Sequence, residues 1–320
     1  MASGRLLCFT LWSLLVPQLS SDAPDATLPA ILETFETHHH LHEVCGAPLT
    51  AMAFPGLTNR VFKLHAEKGT FFLRLPRREA AGSIDRKAEA RNLTLAADAG
   101  LAVPPVFCDP CTGVLVTRAV EVHTEAAHRG QPPQALAEAL GEVLGRLHGS
   151  GAAFEGRLDP DCVLEAQWHG LRNMSDLHSE MDGLEKVLKL RAASMSGSAG
   201  LGYVPSHGDP SPGNCLMTDE RLWLIDWEFS AMSDPAWDLA YAVLEHQMRP
   251  DQEDVFLQAY AATGADLPDA ARLGVMKAKC DTVSALWALE QVAAGRDEAV
   301  FLPFARQRRQ RALQQLAVLT

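Results

Sequence analysis

The spacing of apolar residues changes character near residue 120, and that change divides the chain in two. Ahead of it, Leu28, Ile31, Leu32 and Phe35 recur at helical spacing with Pro29 in the first turn, so residues 24–54 read as a helix followed by a strand. Val61 to His65 alternates, Ala66-Glu67-Lys68-Gly69 is a turn, and Thr70 to Leu75 sets Phe71, Leu73 and Leu75 on one face with Phe72 and Arg74 on the other. Ser83 to Ala99 is predicted as a helix, capped by Ser83, with Asp85 in its first turn and Gly100 at its end. Val103–Phe107 and Val114–Thr117 supply two more strands around the Asp109-to-Gly113 turn.

Beyond residue 120 the pattern turns helical. Gln134 to His148 carries Leu136, Leu140, Val143, Leu144 and Leu147 on one stripe and is stopped by Gly149-Ser150-Gly151. Ser175–Ala192, Trp237–Gln247, Gln252–Ala262, Ala271–Ala294 and Arg306–Leu319 read as further helices, and Ala193–Gly202 as a small-residue loop. The expected fold class is therefore α+β in two lobes: an antiparallel sheet with an inserted helix over residues 24–120 and a larger, mostly helical lobe over 121–320.

Chemistry concentrates in His207-Gly208-Asp209-Pro210-Ser211-Pro212-Gly213-Asn214 and in Leu224-Ile225-Asp226-Trp227-Glu228. An Asp and an Asn sit five positions apart in a turn-rich loop, and a second Asp ends a short apolar run. Phosphoryl transfer needs those groups: Asp209 to accept a hydrogen bond from an attacking hydroxyl, Asn214 and Asp226 as oxygen ligands for magnesium on ATP. His207 reads as a brace for the loop, with direct proton transfer as the alternative. Arg74 on an otherwise apolar strand is either an edge residue reaching solvent or a cation for phosphate. Glu89 falls on the inward stripe of its helix with Leu93 and Ala96, where a carboxylate needs a partner, and Arg74 is the candidate.

The remaining features narrow the class. With 40 acidic and 28 basic residues the net charge is −12, a poor match for nucleic acid or an anionic membrane surface. Seven scattered cysteines make no disulfide framework, and Cys108-Asp109-Pro110-Cys111, with no second pair, reads as an ordinary turn. His38, His39, His40 and His42 lack a completing carboxylate or thiolate and read as a solvated helix end.

Taken together, H-G-D-P-S-P-G-N, I-D-W-E-F-S and Asp234-Pro235-Ala236-Trp237-Asp238-Leu239-Ala240 resemble the signature of the aminoglycoside phosphotransferase/choline kinase superfamily, across about residues 45 to 295. Gly56-Leu57-Thr58-Asn59-Arg60, Phe72-Leu73-Arg74-Leu75-Pro76 and Asp85-Arg86 ahead of Glu89 look like the choline/ethanolamine kinase branch. The resemblance implies a protein-kinase-like fold, with ATP gripped by Thr58, Asn59 and Arg74, Glu89 pairing Arg74, and a hinge near Thr117–Glu121. It implies Asp209 as base, Asn214 and Asp226 as Mg2+ ligands, and an alcohol pocket of acidic and aromatic groups for which Glu228, Trp237, Asp238 and Trp287 are the candidates. An indole face suits a quaternary ammonium.

Two departures bear on the substrate: Pro55 replaces a usual glycine, and Ser284-Ala285-Leu286-Trp287 carries one tryptophan where two are common. Choline or ethanolamine is the expected acceptor, with thiamine, an aminoglycoside or another sugar as alternatives. A non-catalytic binding protein is a remote reading, given intact Asp209, Asn214, Asp226, Arg74 and Glu89. No activation segment of protein-kinase type follows Asp226. Residues 1–23, with Arg5 before the apolar run Leu6–Val16, resemble a signal peptide. The kinase chemistry instead favours an extension or a start placed too far upstream, and with it a cytoplasmic enzyme.

Overall fold

Strands β1 (Pro48–Phe54), β2 (Asn59–Ala66), β3 (Gly69–Pro76), β4 (Pro105–Cys108) and β5 (Leu115–Arg118) form one antiparallel sheet in the order β1-β2-β3-β5-β4. The structure is a computed structural model, and it describes residues 24–54, 59–77, 84–121, 134–190 and 202–319. Residues 1–23 and Thr58 lie outside that range. Alternation along β3 buries Phe71, Leu73 and Leu75 against α1 (Pro24–Thr37) and α2 (His40–Cys45). In α1, Ile31 and Phe35 point inward, while Leu28 and Leu32 are 43% and 44% exposed, so half of the expected apolar stripe is outside.

Arg74 is not at an edge. It pairs with Val61 of β2 on one side and Leu115 of β5 on the other, at 8% exposure in the middle of the sheet. The helix that follows, α3 (Arg86–Asp98), is capped by Asp85, whose carboxylate accepts from the Ala88 amide at 3.1 Å; Ser83 lies outside the described residues. The His38 ring bonds Asp109 at 3.1 Å and packs edge-on to Phe107, so it ties α1 to the β4–β5 turn rather than ending a solvated helix. That turn is the Cys108–Cys111 segment, and both cysteines are free thiols.

The large lobe holds α4 (Gln134–His148), α5 (Pro160–Leu171), the single turns α6 (His178–Met181) and α7 (Glu185–Leu188), α8 (Pro235–Glu245), α9 (Pro250–Ala262), α10 (Ala270–Ala293) and α11 (Glu298–Leu319). Two differences from the predicted pattern have local causes. Ser175–Ala192 is broken rather than continuous, because Gly183 takes a left-handed φ of 84° between α6 and α7. α11 begins at Glu298 despite Pro303, with Phe301 and Phe304 packed edge-on to Trp287, so tertiary packing outweighs the proline. α5, capped by Asp159 with Pro160 in its first turn, is an additional element.

β6 (Arg157–Leu158), β7 (Val204–Ser206) and β10 (Ala231–Ser233) make a small sheet, and β8 (Cys215–Met217) with β9 (Leu222–Leu224) makes a hairpin beside it. Most of the core lies here and between the helices. The C-terminal half of α3 and the segment after it belong to it: Leu93 and Ala96, then Leu101 and Ala102, share a core with Leu144 and Leu224, and the Leu224 amide donates to the Leu101 carbonyl at 3.0 Å. Asn92 adds bonds to the backbone of Glu155 and Ser230. Among the described residues no helix is long and apolar enough to cross a membrane.

Candidate active site

The loop from His207 to Asn214 leaves β7, tightens into one 3-10 turn at Pro212–Asn214 and enters β8. Its shape is fixed from below. Asp238, fully buried on α8, accepts from the His207 amide at 2.7 Å and the Gly208 amide at 2.9 Å, and His148 holds the same carboxylate at 3.2 Å. Burial alone would raise the pKa of Asp238, but the hydrogen bond and charge of His148, with His207, outweigh it and hold the carboxyl below its ordinary value. Gly208 has φ 86°, and a Cβ there would lie 2.5 Å from the Phe229 carbonyl oxygen, so no side chain fits. Trp237 donates its indole N–H to the Gly208 carbonyl at 3.0 Å.

His207 braces the loop from inside. Its Nε2 lies 2.9 Å from the Ile225 carbonyl, and its Nδ1 is the acceptor for the Asp209 amide at 3.3 Å. Both ring nitrogens are thereby committed to backbone, with the proton on Nε2, and burial lowers the pKa of the imidazole. The alternative of direct proton transfer by His207 has no free ring atom to use.

Asp209 itself is 3% exposed. Asn214 donates its side-chain amide to Asp209 Oδ2 at 3.1 Å and to the Asp209 carbonyl at 3.0 Å, while the buried Oδ1 has no hydrogen-bond donor among the described residues. Burial first, then the charges of Glu245 and Asp226, push its pKa well up. A donor hydroxyl brought to Oδ1 would meet an acceptor already oriented by Asn214.

Asp226 follows β9 with φ 62°, a left-handed backbone uncommon outside glycine, and so turns out of the hairpin line into the cleft. The Ile225 amide bonds the Asn214 carbonyl at 2.9 Å, which seats Asn214 and Asp226 at the same end of the hairpin. Because Asn214 spends its N–H groups on Asp209, its amide oxygen is the atom left to offer a cation. A carboxylate and an amide oxygen beside a phosphate path suit Mg2+, which keeps water and phosphate oxygens in its shell. The donor set therefore fits the metal that the sequence implies. Asp226 is raised by burial and lowered in turn by Arg74; a third of its side chain is open, as for a cleft wall.

From the sheet lobe, Arg74 forms a buried ion pair with Glu89 and lies 3.3 Å from Asp226. Burial opposes ionisation of Glu89, but Arg74 and then Arg86 hold its pKa down. Arg86, on the first turn of α3, bonds Glu89 at 2.7 Å, Asn59 at 3.0 Å and Glu228 at 3.4 Å. Asn59 also donates to Glu228 at 2.9 Å. Glu228 is thus a bridge to the nucleotide-side lobe, and its expected place in an alcohol pocket is not where the structure puts it.

The other three expected alcohol contacts are corrected as well. Trp237 and Asp238 are fully buried beneath the loop, spent on its backbone. Trp287 is also at zero exposure, between Phe301 and Phe304, so neither indole presents a face to the cleft. The residues missed by sequence reasoning are Arg86, His148 and Glu245. Arg86 stands three positions before Glu89, one helical turn away, and Glu245 seven after Asp238, on the same face of α8; both spacings are visible in the sequence.

A sheet lobe presenting an Arg–Glu pair over a loop Asp, an Asn and a hairpin Asp defines a kinase-type phosphotransferase. The chain belongs to the phosphotransferase enzyme family, whose pattern matches residues 51–273. Protein LicA of Haemophilus influenzae is 28% identical over 225 residues, covering 70% of this chain and 66% of LicA, just under two thirds of that protein. A choline/ethanolamine kinase family protein from Mesorhizobium loti superposes with a TM-score of 0.71 at 29% identity, covering 88% of this chain and 94% of the other. Choline kinase LicA from Streptococcus pneumoniae gives 0.69 at 22% identity, over 90% and 99%, and a LicA structure in complex with AMP gives 0.69 at 24%, over 91% and 98%. Membership of this family makes the chain a phosphotransferase.

Proposed function

We propose that the protein transfers the γ-phosphoryl group of ATP to the hydroxyl of an amino alcohol, choline or ethanolamine, in the cytoplasm. The observation that carries this reading is the state of Asp209: one carboxylate oxygen held by Asn214, the other buried with no hydrogen-bond donor among the described residues. Asp209 orients the hydroxyl and takes its hydrogen bond. Arg74, fixed by Glu89, meets the phosphates, with Asn59 and Thr58 at the nucleotide turn. Asn214 and Asp226 hold Mg2+, which supplies charge neutralisation on the phosphates. The similarity to a choline/ethanolamine kinase family protein supports the amino alcohol, and the burial of Trp237 and Trp287 leaves its ammonium to be met by other groups, carboxylates among them.

The test is ADP release by the purified protein with Mg-ATP over choline, ethanolamine, thiamine and aminoglycosides. Choline or ethanolamine is expected to be turned over, and turnover of an aminoglycoside alone overturns the assignment. Asp209→Asn should lower kcat by about 10²- to 10⁴-fold.

A further inference from the structure

Three helices gather charge on the far side of Asp209 that the proposed chemistry leaves unused. Glu245 shares a face of α8 with Asp238, which holds the loop, and its neighbour His246 reaches the Pro210 carbonyl at 3.2 Å. Glu245 is therefore two turns along α8 from the carboxylate that holds the Asp209 loop. Its partner is Arg308 of α11, 7% exposed, with the guanidinium 2.7 Å from Glu245, 3.2 Å from Asp281 and 4.6 Å from the centre of the Phe304 ring.

The two carboxylates depend on Arg308 unequally. Asp281 is also held by Arg311, which reaches both of its oxygens, and by Gln315 at 3.1 Å. Glu245 has no second cation among the described residues. Ser284 lies one turn beyond Asp281 on α10 and Trp287 one turn beyond Ser284; Ser284 Oγ and Trp287 Nε1 are buried without hydrogen-bond partners among the described residues, as is Asp209 Oδ1. Unpartnered buried groups are scarce in native cores and call for an explanation, and Trp287 packs on Phe304, the ring that lies under Arg308.

We propose that Arg308 holds the place of the acceptor's ammonium group: a cationic alcohol binds by taking Glu245 from the guanidinium, which falls back on Asp281. This inference rests on the amino-alcohol reading. Exchange of one cation for another never leaves the buried carboxylate without a counter-charge. An uncharged alcohol of the same shape has nothing with which to displace the guanidinium, so Arg308 selects for a charged acceptor. The competition also raises the concentration of alcohol required, because the binding-competent arrangement is a fraction of the total.

Steady-state kinetics with choline and its uncharged carbon isostere, 3,3-dimethylbutan-1-ol, test this on the wild type, Arg308→Met and Arg308→Lys. Arg308→Met should lower the KM for choline about tenfold, with kcat within about twofold and the isostere unimproved. A raised or unchanged choline KM, or parallel changes for both alcohols, overturns the role of Arg308. Should Arg308→Met fail to fold, Arg308→Lys, which keeps the charge without the two-carboxylate fork, should lower the choline KM about threefold, and an unchanged value again overturns it. Wild-type protein inactive on every amino alcohol overturns the underlying reading and this inference with it; wild-type turnover of choline with an unmoved KM in the variants overturns the inference alone.

Discussion

Single carboxylates in this protein do opposite jobs according to what surrounds them. Asp209 leaves one buried oxygen without a donor among the described residues, whereas Asp238 spends both on the amides of His207 and Gly208. Asp238→Asn replaces an acceptor by an N–H group facing an N–H donor, so the loop must move and Asp209 with it. Expected are a kcat at least about tenfold lower, a nucleotide KM within about twofold, and a loss of about 3–5 kcal/mol in urea unfolding, as for a broken buried pair. Kinetics and unfolding on the same preparation check both, and a kcat unchanged in a destabilised variant would reduce Asp238 to packing. Asp209, Asn214 and Asp226 stand out in the sequence because an Asp and an Asn five apart in a turn-rich loop, with a second Asp after a short apolar run, have few other uses. Asp238, Trp237 and Glu228 were assigned to the wrong surroundings because spacing gives neighbours along an element and says nothing of which side faces the cleft.

At the scale of elements, long amphipathic segments were readable almost to the residue: Gln134–His148 is α4 as its apolar stripe requires. Short or interrupted ones were not. α6 and α7 share a continuous apolar pattern and are separated by one left-handed glycine; the first turns of α11 are made by contacts with a tryptophan that the sequence places elsewhere. Glycine also governs how closely helices approach. On α4, a Cβ at Gly141 would stand 2.2 Å from the Phe256 carbonyl oxygen and 3.0 Å from the Tyr260 nitrogen, both on α9. Gly141→Ala gains about 1 kcal/mol of helix propensity, but the neighbour it strikes is backbone, and overpacking costs about 1–3 kcal/mol or more. Net destabilisation, with α4 and α9 forced apart, is the expected result of a denaturation experiment; a stabilised variant would show that the contact yields.

For the molecule as a whole, the cleft stores carboxylates whose charge the free protein holds at a cost. Glu228 is pushed up to about 8 by burial first and by Asp226 next. A carboxyl whose folded pKa exceeds its unfolded one contributes stability that is complete below the unfolded value, near 4.5, and is lost as the pH rises through the folded value. The free protein should therefore lose stability between about pH 5 and pH 8, by on the order of a few kcal/mol from this group. Glu228→Gln, which cannot ionise, should flatten that part of the profile in melting curves recorded across the range. Parallel curves for wild type and variant would show that Glu228 does not titrate there.

α3 has a double allegiance, with Glu89 among the nucleotide-side residues and Leu93 and Ala96 in the core of the other lobe. In protein kinases the equivalent Lys–Glu pair is a control point, made or broken as its helix is positioned. Here the helix is nailed to the lobe that carries the catalytic loop, through Asn92 and the Leu101–Leu224 backbone bond. Swinging it outward would mean opening a hydrophobic core. A helix anchored in this way keeps the Arg74–Glu89 pair assembled in the free protein, with no outside event needed to bring its two halves together.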